Sequence, residues 1–376
     1  MKFIISSGEL LKHLQSVSKV INSKNTLPIL DNFLFRLKEG ELVVTASDLE
    51  TTFITSVKVE EFEGEGSIAI EAKRLNEIIK EFPEQPLTFQ IDHETLKVEI
   101  LSDKGVYNIM GQNAEDFPLL PELKGANIIR TMIRPEVLST GISKTIFATA
   151  DDELRPVMNG IFIECSTTEF GFVASDAHKL VRYKRTDAPP EVTASLILPK
   201  KPASLLKGIL MKDDLDVSLE FDEKNAFFKM KNYILVCRLV EGNYPNYNSV
   251  IPFNNPNKLT IDRLELYNTV KRVSVFSNQA SNLIKLQLNL NQITVSAQDI
   301  DYSISAVETL PCQYEGEEME IGFKSVFLLE LLANISTPEV RLEMSDPSRA
   351  GILLPVENPT PGEDILMLLM PMMINV

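Results

Sequence analysis

The chain has 376 residues, of which 44% are hydrophobic and 24% charged, a composition typical of two or three globular domains and unlike that of a fibrous or disordered protein. The formal net charge of −16 would ordinarily count against nucleic acid as a partner, because binding to a polyanion depends on Lys and Arg side chains. The N-terminal apolar run is too short for a secretory signal, and the apolar C-terminal stretch contains Pro371, so we expect a cytoplasmic protein without a membrane span.

Helices and strands alternate along the chain. Apolar residues at helical spacing predict six helices, over residues 8–21, 73–82, 134–147, 200–212, 262–276 and 324–334. Between them, strict alternation predicts strand hairpins, as at Phe33, Phe35 and Leu37 before a turn at Glu39-Gly40. The pattern therefore predicts an α+β fold in which pairs of helices pack on antiparallel sheets.

The order of elements is repeated three times. A strand-exit signature recurs 128 and then 123 residues later, as Ala46-Ser47-Asp48, Ala174-Ser175-Asp176 and Ala297-Gln298-Asp299. Lysines open the second helix of each repeat at the same two spacings, at Lys73, Lys201 and Lys324. A repeat of this length is a domain, so we predict three domains, at 1–124, 125–252 and 253–376. Proline-containing segments, 117–121 and 244–252, are the predicted linkers between them.

Candidate catalytic groups are few. Asp176 and His178 are close in sequence and leave a hydrolase open as an alternative. The aspartate recurs in all three repeats, however, which favours a structural role in which it accepts backbone N–H groups after the strand. The three cysteines are widely spaced, and no phosphate-binding glycine loop is present, so we expect no enzyme, cofactor or metal site.

Charge is distributed unevenly between the predicted elements. The predicted helices hold about twice as many basic as acidic residues, although the chain as a whole is acidic. This distribution favours one face that attracts DNA, with helix lysines that serve only solubility as the alternative. A third hypothesis, an adaptor unrelated to DNA, rests on the acidic total and on the methionine-rich C-terminus.

Several motifs together resemble one family. They are Asn25-Thr26-Leu27-Pro28-Ile29-Leu30, Asn159-Gly160, the segment from Ala174 to Leu180, Tyr244-Pro245-Asn246-Tyr247 and Met370-Pro371-Met372. In this order they resemble the beta subunit of bacterial DNA polymerase III, the sliding clamp. The resemblance implies a DNA polymerase processivity factor, a head-to-tail homodimer whose six domains form a ring around double-stranded DNA without sequence specificity. It also implies as partners the polymerase III catalytic subunit, the clamp loader and other proteins with a clamp-binding motif.

The resemblance further implies site residues. A pocket between the second and third domains would bind a partner peptide through Met158, Ser175, Ala177, His178, Lys179, Leu180, Pro245, Val250, Leu368, Met370, Pro371 and Met372. Ser249 stands where the family often has a basic residue, and residues 373–376 extend past the usual ending. DNA contacts are expected from Lys24 and Lys73 by resemblance and from Lys200 and Lys201 by helix charge. Tyr107 and Phe276 are expected near the subunit contact.

Overall fold

The computed structural model describes residues 1–123, 127–210, 215–357 and 360–374. The chain divides into two compact units: unit 1 comprises residues 1–138 and 204–239, and unit 2 comprises residues 139–203 and 240–376. Both units are built from non-contiguous parts of the chain. The predicted domain boundary at Lys124 lies outside the described residues, so the three-domain division stays a prediction.

The six predicted helices are all present. Five of them are one to three residues shorter than expected, and the predicted end of the fourth, residues 211–212, lies outside the described residues. They are α1 (Ser7–Val17), α2 (Ala72–Lys80), α3 (Pro135–Thr145), α4 (Lys200–Leu210), α5 (Arg263–Ser274) and α6 (Ser325–Ala333). Side-chain caps fix two of the starts: Ser6 Oγ accepts from Glu9 N, and Asp262 Oδ1 accepts from Glu265 N at 2.7 Å. Leu10, Leu14 and Val17 form the buried apolar stripe of α1.

The strands are predominantly short and follow one another as hairpins. In the first half of the chain they are β1 (Lys2–Ser6), β2 (Asn32–Lys38), β3 (Glu41–Ser47), β4 (Thr51–Lys58), β5 (Glu61–Glu63), β6 (Gly66–Glu71), β7 (Pro86–Ile91), β8 (Lys97–Leu101), β9 (Val106–Met110), β10 (Ile129–Ile133), β11 (Gly160–Cys165), β12 (Phe170–Ser175), β13 (Lys179–Arg185) and β14 (Ala194–Pro199). The others are β15 (Val217–Phe221), β16 (Asn225–Lys229), β17 (Tyr233–Arg238), β18 (Asn257–Asp262), β19 (Leu283–Asn289), β20 (Gln292–Asp299), β21 (Ile304–Pro311), β22 (Gln313–Glu315), β23 (Met319–Lys324), β24 (Glu339–Met344), β25 (Gly351–Pro355) and β26 (Glu363–Leu369).

Unit 1 contains two antiparallel sheets. One has the order β5-β1-β7-β8-β9, and the other has the order β10-β15-β16-β17-β4-β3-β2-β6. The helices α1 and α2 pack against each other, and α1 also packs on β3 and β4. A buried layer of aromatic residues lies in this unit, including Phe3 and Phe89, whose rings stack with centroids 4.9 Å apart.

Unit 2 also contains two sheets. A nine-stranded sheet has the order β14-β11-β12-β13-β26-β25-β24-β18-β22, and a four-stranded sheet has the order β21-β20-β19-β23. The helices α5 and α6 pack against each other, and α5 lies on β20 and β21. The predicted α+β class and the three copies of the strand-helix pattern are confirmed.

Two equivalent strand pairs join successive repeats. In unit 1, β4 of the first repeat pairs with β17 of the second, with Thr51 opposite Cys237. In unit 2, β13 of the second repeat pairs with β26 of the third, with Lys179 opposite Leu369. We call these two pairs repeat junctions. They make each large sheet continuous across a repeat boundary, and they provide hydrogen-bond partners for backbone groups at strand edges that would otherwise be exposed.

None of the helices within the described ranges is long and apolar enough to cross a membrane.

Candidate functional site: an apolar pocket at a strand exit

The turn that follows β12 is fixed by the strand-exit signature. Asp176 Oδ1 accepts hydrogen bonds from the backbone N–H groups of His178 and Lys179, each at 2.9 Å. Ser175 Oγ accepts from Ala177 N at 3.2 Å and donates to the carbonyl oxygen of Lys179 at 2.9 Å. These bonds hold Ala177 at a φ of 74°, a backbone conformation that residues other than glycine rarely adopt.

The aspartate accepts backbone N–H groups in the other repeats too. Asp48 Oδ1 accepts from the backbone N–H groups of Glu50 and Thr51, and Leu49 has a φ of 79°. In the third repeat, Asp299 Oδ1 accepts from Asp301 N at 3.0 Å. The structural role predicted for this aspartate is therefore confirmed, and Asp176 contacts the backbone of His178 rather than its ring.

A cavity of about 250 Å³ lies beside the turn of the second repeat, within unit 2. Four segments supply its walls: the turn itself, the short 3-10 helix Pro156–Met158, the linker after β17, and the end of β26. The lining residues are Met158, Ser175, Ala177, Lys179, Leu180, Tyr244, Pro245, Asn246, Tyr247, Val250, Leu368 and Met370.

The cavity has a buried apolar floor and an exposed rim. Leu180, Tyr247 and Leu368 are buried and belong to a hydrophobic cluster that continues into the core of the unit. At the rim, Val250 and Met370 remain 54% and 41% exposed. A floor of this kind can bury apolar side chains of a ligand, and each buried methylene group contributes about 0.8 kcal/mol.

Aromatic stacking orients the linker that forms one wall. The ring of Tyr244 lies parallel to that of Phe162, with centroids 4.8 Å apart, and Tyr247 meets Phe162 edge-on at 6.4 Å. The hydroxyl of Tyr247 donates to the carboxylate of Glu164. Because both tyrosines are held from behind, the wall is preformed rather than assembled by a ligand.

Lys179 places a charge behind the pocket, but that charge is compensated. Its side chain is 5% exposed, and Nζ lies 2.7 Å from Asp176 Oδ2 and 2.9 Å from Glu330 Oε2 on α6. Nζ also lies 4.5 Å from the centroid of the Phe327 ring. Burial would lower the pKa of Lys179, but the bonds to Asp176 and Glu330 outweigh burial and raise it, so the ammonium stays charged and paired.

The structure brings together most of the residues predicted for this pocket. His178, Pro371 and Met372 do not line the cavity. His178 is exposed, and its ring stacks on Phe327 with centroids 5.6 Å apart. The chain leaves the pocket after Met370, because Met372 N donates to the carbonyl oxygen of Gly322 on β23 at 2.8 Å.

Three lining residues, Tyr244, Asn246 and Tyr247, were missed by the sequence reasoning. All three belong to the Tyr-Pro-Asn-Tyr linker, which is one of the motifs that carry the resemblance, but Pro245 is the only residue of that linker predicted to line the pocket. Ser249 lies outside the lining, and Asn375 and Val376 of the C-terminal extension lie outside the described residues.

The residues predicted to contact DNA lie in both units. Lys24 is exposed in the loop after α1, and Lys73 is exposed in the first turn of α2, both in unit 1. Lys200 and Lys201 begin α4 in unit 2, where Lys200 is exposed and Lys201 is half-buried. The observed helices again hold about twice as many basic as acidic residues.

The two residues predicted near the subunit contact belong to different parts of the fold. Tyr107 is 42% exposed on β9, which is an outer strand of its sheet, and its ring meets that of Phe82 edge-on at 5.1 Å. Phe276 is 37% exposed just after α5.

The cysteines are free thiols. Cys165 and Cys237 are buried and Cys312 is half-buried, and burial raises the pKa of the Cys165 thiol to about 12. Among the residues that the structure describes, no group of His, Cys, Asp and Glu side chains is arranged to hold a metal ion.

The fold and the pocket define a class of protein: a threefold-repeated α+β chain with a preformed apolar pocket beside the second repeat junction. Comparison with known proteins gives the family. Models of the DNA polymerase III beta subunit match residues 1–121 (N-terminal domain), 132–246 (central domain) and 248–373 (C-terminal domain). The chain therefore belongs to the DNA polymerase III beta subunit family.

Curated relatives and solved structures agree with this assignment. The beta sliding clamp of Bacillus subtilis is 27% identical with 99% of each chain covered, and that of Pseudomonas putida is 29% identical over 99% of this chain and 100% of the relative. A crystal structure of the Pseudomonas aeruginosa sliding clamp bound to griselimycin superposes with a TM-score of 0.92 at 27% identity, covering 100% of both chains. The Bacillus subtilis clamp superposes with a TM-score of 0.90 at 26% identity, also over both whole chains. As a member of this family, the chain is a non-catalytic processivity factor of DNA polymerase III.

Proposed function

We propose that the chain forms a head-to-tail homodimeric ring of six domains that encircles duplex DNA without sequence specificity and tethers the replicative polymerase through the pocket in unit 2. The observation that carries the proposal is the preformed apolar pocket at the second repeat junction. The domains of each protomer are those predicted from the repeats, 1–124, 125–252 and 253–376. The cytoplasm is the proposed location, and no cofactor is required.

The pocket suits a short hydrophobic peptide of a partner protein. Its floor is apolar, and its one buried cation is already bound by two carboxylates, so a ligand gains little there from charge. Aliphatic or aromatic side chains would displace water from the floor between Leu180 and Leu368. The polymerase III catalytic subunit, the clamp loader and other proteins with a clamp-binding motif are the proposed ligands.

The free strand edges support a dimer. In the repeat pattern, β4 and β13 correspond to β21, while β17 and β26 correspond to β9. Both β21 and β9 are outer strands of their sheets in the described chain, and both expose apolar residues, including Val307 (67%) and Met110 (66%). A third repeat junction, between β21 of one copy and β9 of another, would cover both edges, and such a head-to-tail contact closes into a ring.

The positions of Tyr107 and Phe276 fit this contact. Tyr107 lies on β9, and Phe276 follows α5, the helix that packs on β20 and β21. Substitutions at these two places should therefore act on the same interface from its opposite sides.

The basic residues of the helices support sequence-independent attachment to DNA. Lys24, Lys73, Lys200 and Lys201 are the proposed phosphate contacts, and lysine side chains can neutralise phosphates without reading base edges. Such contacts are weak and salt-dependent, so retention on DNA would come from enclosure rather than from affinity.

Whether the protein encloses DNA can be tested by comparing its retention on circular and on linear DNA. The protein, placed on nicked circular DNA by a clamp loader, should co-elute with the circle in high salt and be lost when one restriction cut linearises it. Equal retention on circular and linear DNA would refute the ring. The hydrolase alternative has little support, because the Asp176 carboxylate is occupied by backbone N–H groups and by Lys179.

The pocket needs its own test. Met370→Lys puts a charge at the rim and should weaken a fluorescent partner peptide, measured by anisotropy, at least tenfold. Met373→Lys is the matched control, because Met373 is 80% exposed near the same terminus and lies outside the cavity. Equal loss of affinity in both variants would contradict the proposed site.

A further inference from the structure

The first strand of each repeat has equivalent surroundings on its inner side. The strands β1, β10 and β18 each end just before the first helix of their repeat, and Lys2, Arg130 and Lys258 hold equivalent positions in them, 128 residues apart. On the inner side, β1 pairs with β7, β10 with β15 and β18 with β24. On the outer side, β1 pairs with β5 and β18 pairs with β22.

The strand β10 differs in its outer side. In the first and third repeats, the outer strand comes from the connection between β4 and β6 or between β21 and β23. The equivalent connection of the second repeat, residues 186–193, contains no strand. Pro189 and Pro190 lie within it, and proline has no N–H group to donate to a neighbouring strand. Within the described ranges, β10 is therefore the outer strand of its sheet.

Backbone groups of β10 face this open edge. In the first repeat, the carbonyl oxygen of Ile4 accepts from Glu60 N at 2.9 Å, so the backbone groups of Ile4 face outward. Met132 holds the position of Ile4, 128 residues later, and in an antiparallel ladder the N–H and C=O groups of one residue face the same side. Met132 is 58% exposed, whereas Ile4, beside β5, is half-buried. At Met132, β10 thus presents a donor and an acceptor to which a further strand can bind.

The two outer strands of the other repeats define what such an edge accepts. The strand β5 has the sequence Glu61-Phe62-Glu63, and β22 has the sequence Gln313-Tyr314-Glu315. In both, an aromatic residue stands opposite an apolar residue of the inner strand, and the last glutamate stands opposite the equivalent lysine, Lys2 or Lys258. Opposite charges and aromatic residues at facing positions stabilise antiparallel pairs.

The strand β10 has the complementary side chains. Arg130 holds the position of the two lysines, and Thr131, at the position that faces the aromatic ring, is β-branched and 8% exposed. The side chain of Arg130 is 63% exposed, and its ion pair with Glu220 on β15 is long, at 3.7 Å. Glu220 is bound more closely by Lys229, at 2.7 Å. The guanidinium of Arg130 can therefore meet a carboxylate on the outer side of β10.

We propose that the outer edge of β10 binds an extended acidic segment of a partner protein, which adds a strand to the sheet. The segment pairs antiparallel with Arg130, Thr131 and Met132, with its glutamate opposite Arg130 and its aromatic ring opposite Thr131, as in β5 and β22. Main-chain hydrogen bonds provide the affinity, and the aromatic residue and the glutamate provide the specificity. The proposal does not depend on the pocket of unit 2, because β10 lies within unit 1.

The test combines fluorescence anisotropy with hydrogen exchange of the full-length protein. The probe is an acetylated peptide amide with the sequence of residues 59–65 of this chain, Val-Glu-Glu-Phe-Glu-Gly-Glu, which includes β5. It should bind in a saturable way. At a free probe concentration ten times the Kd, exchange of the Met132 amide should slow about tenfold, because only the unbound fraction exchanges.

A modified probe tests whether the peptide binds as a strand. It carries an N-methyl group on the glutamate that follows the phenylalanine, so it keeps every side chain but lacks one N–H donor to β10. This probe should bind roughly fivefold more weakly or worse, as expected for a lost main-chain hydrogen bond.

Charge reversal tests the register. Arg130→Glu should weaken the unmodified probe roughly threefold or more, and a probe with lysine in place of the glutamate that faces residue 130 should regain affinity for this variant. Arg36→Glu is the matched control, because Arg36 is an exposed arginine on β2, near the opposite edge of the same sheet. It should leave the affinity for both probes unchanged.

Four results would overturn the proposal. They are the absence of saturable binding, equal affinity of the N-methylated probe, protection at β9 or β21 in place of β10, and a Met132 amide that is already protected in the free protein. The last result would mean that a second copy of the chain or another segment of it covers the edge. Because protection is measured at β10 itself, the outcome is independent of whether the pocket of unit 2 binds a partner peptide.

Discussion

Replacing Lys179 by methionine removes the cation that joins β13 to α6. The ammonium lies 2.7 Å from Asp176 and 2.9 Å from Glu330, and a hydrogen bond to a charged group contributes about 1.5–3 kcal/mol. The loss is below the sum of two such bonds. Asp176 keeps its two backbone N–H partners, whereas the Glu330 oxygen that faces Lys179 is buried although the side chain as a whole is 41% exposed. We expect Lys179→Met to destabilise the β13 region by about 3 kcal/mol.

Hydrogen exchange is the suitable assay because a chain with two compact units need not unfold in one step. A loss of about 3 kcal/mol corresponds to roughly hundredfold faster exchange of β13 amides. Lys285→Met is the control, because Lys285 and Glu320 are 3.5 Å apart with side chains 40% and 47% exposed, so its removal should cost about 1 kcal/mol or less. If Lys179→Met accelerates local exchange no more than the control does, the buried ion pair does not stabilise the pocket.

Three further substitutions test other parts of the structure. Burial lowers the pKa of His13, so the native state prefers the neutral ring. The stability that this preference contributes is present above the unfolded pKa of about 6.5 and declines as the pH falls below it. Between pH 7.5 and 5.5, the urea midpoint of the wild type should therefore fall more than that of His13→Gln. A parallel decline would refute this assignment. Gly160→Ala places a Cβ 2.7 Å from the carbonyl oxygen of Leu198 and should lower the free energy of local unfolding of β11 by about 1–3 kcal/mol, measured by hydrogen exchange of its amides. Gly171→Ala meets its nearest atom at 3.6 Å and should be tolerated. Equal exchange rates in the two alanine variants would contradict the packing argument. Tyr107→Asp puts a charge on the free edge of β9 and should shift the protein from dimer to monomer in light scattering, and an unchanged mass would argue against that edge as the interface.

Local features of the chain were predictable because their causes are local. The six helices follow from apolar residues at helical spacing, and Ser6 and Asp262 cap two of them through bonds within three residues. The turn after each strand-exit signature depends on an aspartate that accepts backbone N–H groups two or three residues away. Such contacts need no distant partner, so the sequence pattern alone specifies them.

The candidate site was predictable only in part. Most of the residues that line the cavity belong to motifs of the family. Pro371 and Met372 do not line it, and their part in a partner-peptide site stays a prediction. The chain after Met370 turns to pair with Gly322 on β23. Nothing in the spacing of the C-terminal methionines distinguishes a residue that lines a pocket from one that bridges to another sheet.

The sequence by itself determined the helices, the hairpins, the strand-exit turns and the threefold repetition, because each depends on residues close together in the chain. The tertiary structure alone decided that β4 pairs with β17 and β13 with β26, that Tyr244 and Tyr247 form a pocket wall, and that Lys179 is bound by Glu330. The reason is that any antiparallel edge offers the same backbone donors and acceptors, so the choice of partner strand depends on which apolar surfaces can be buried together far along the chain.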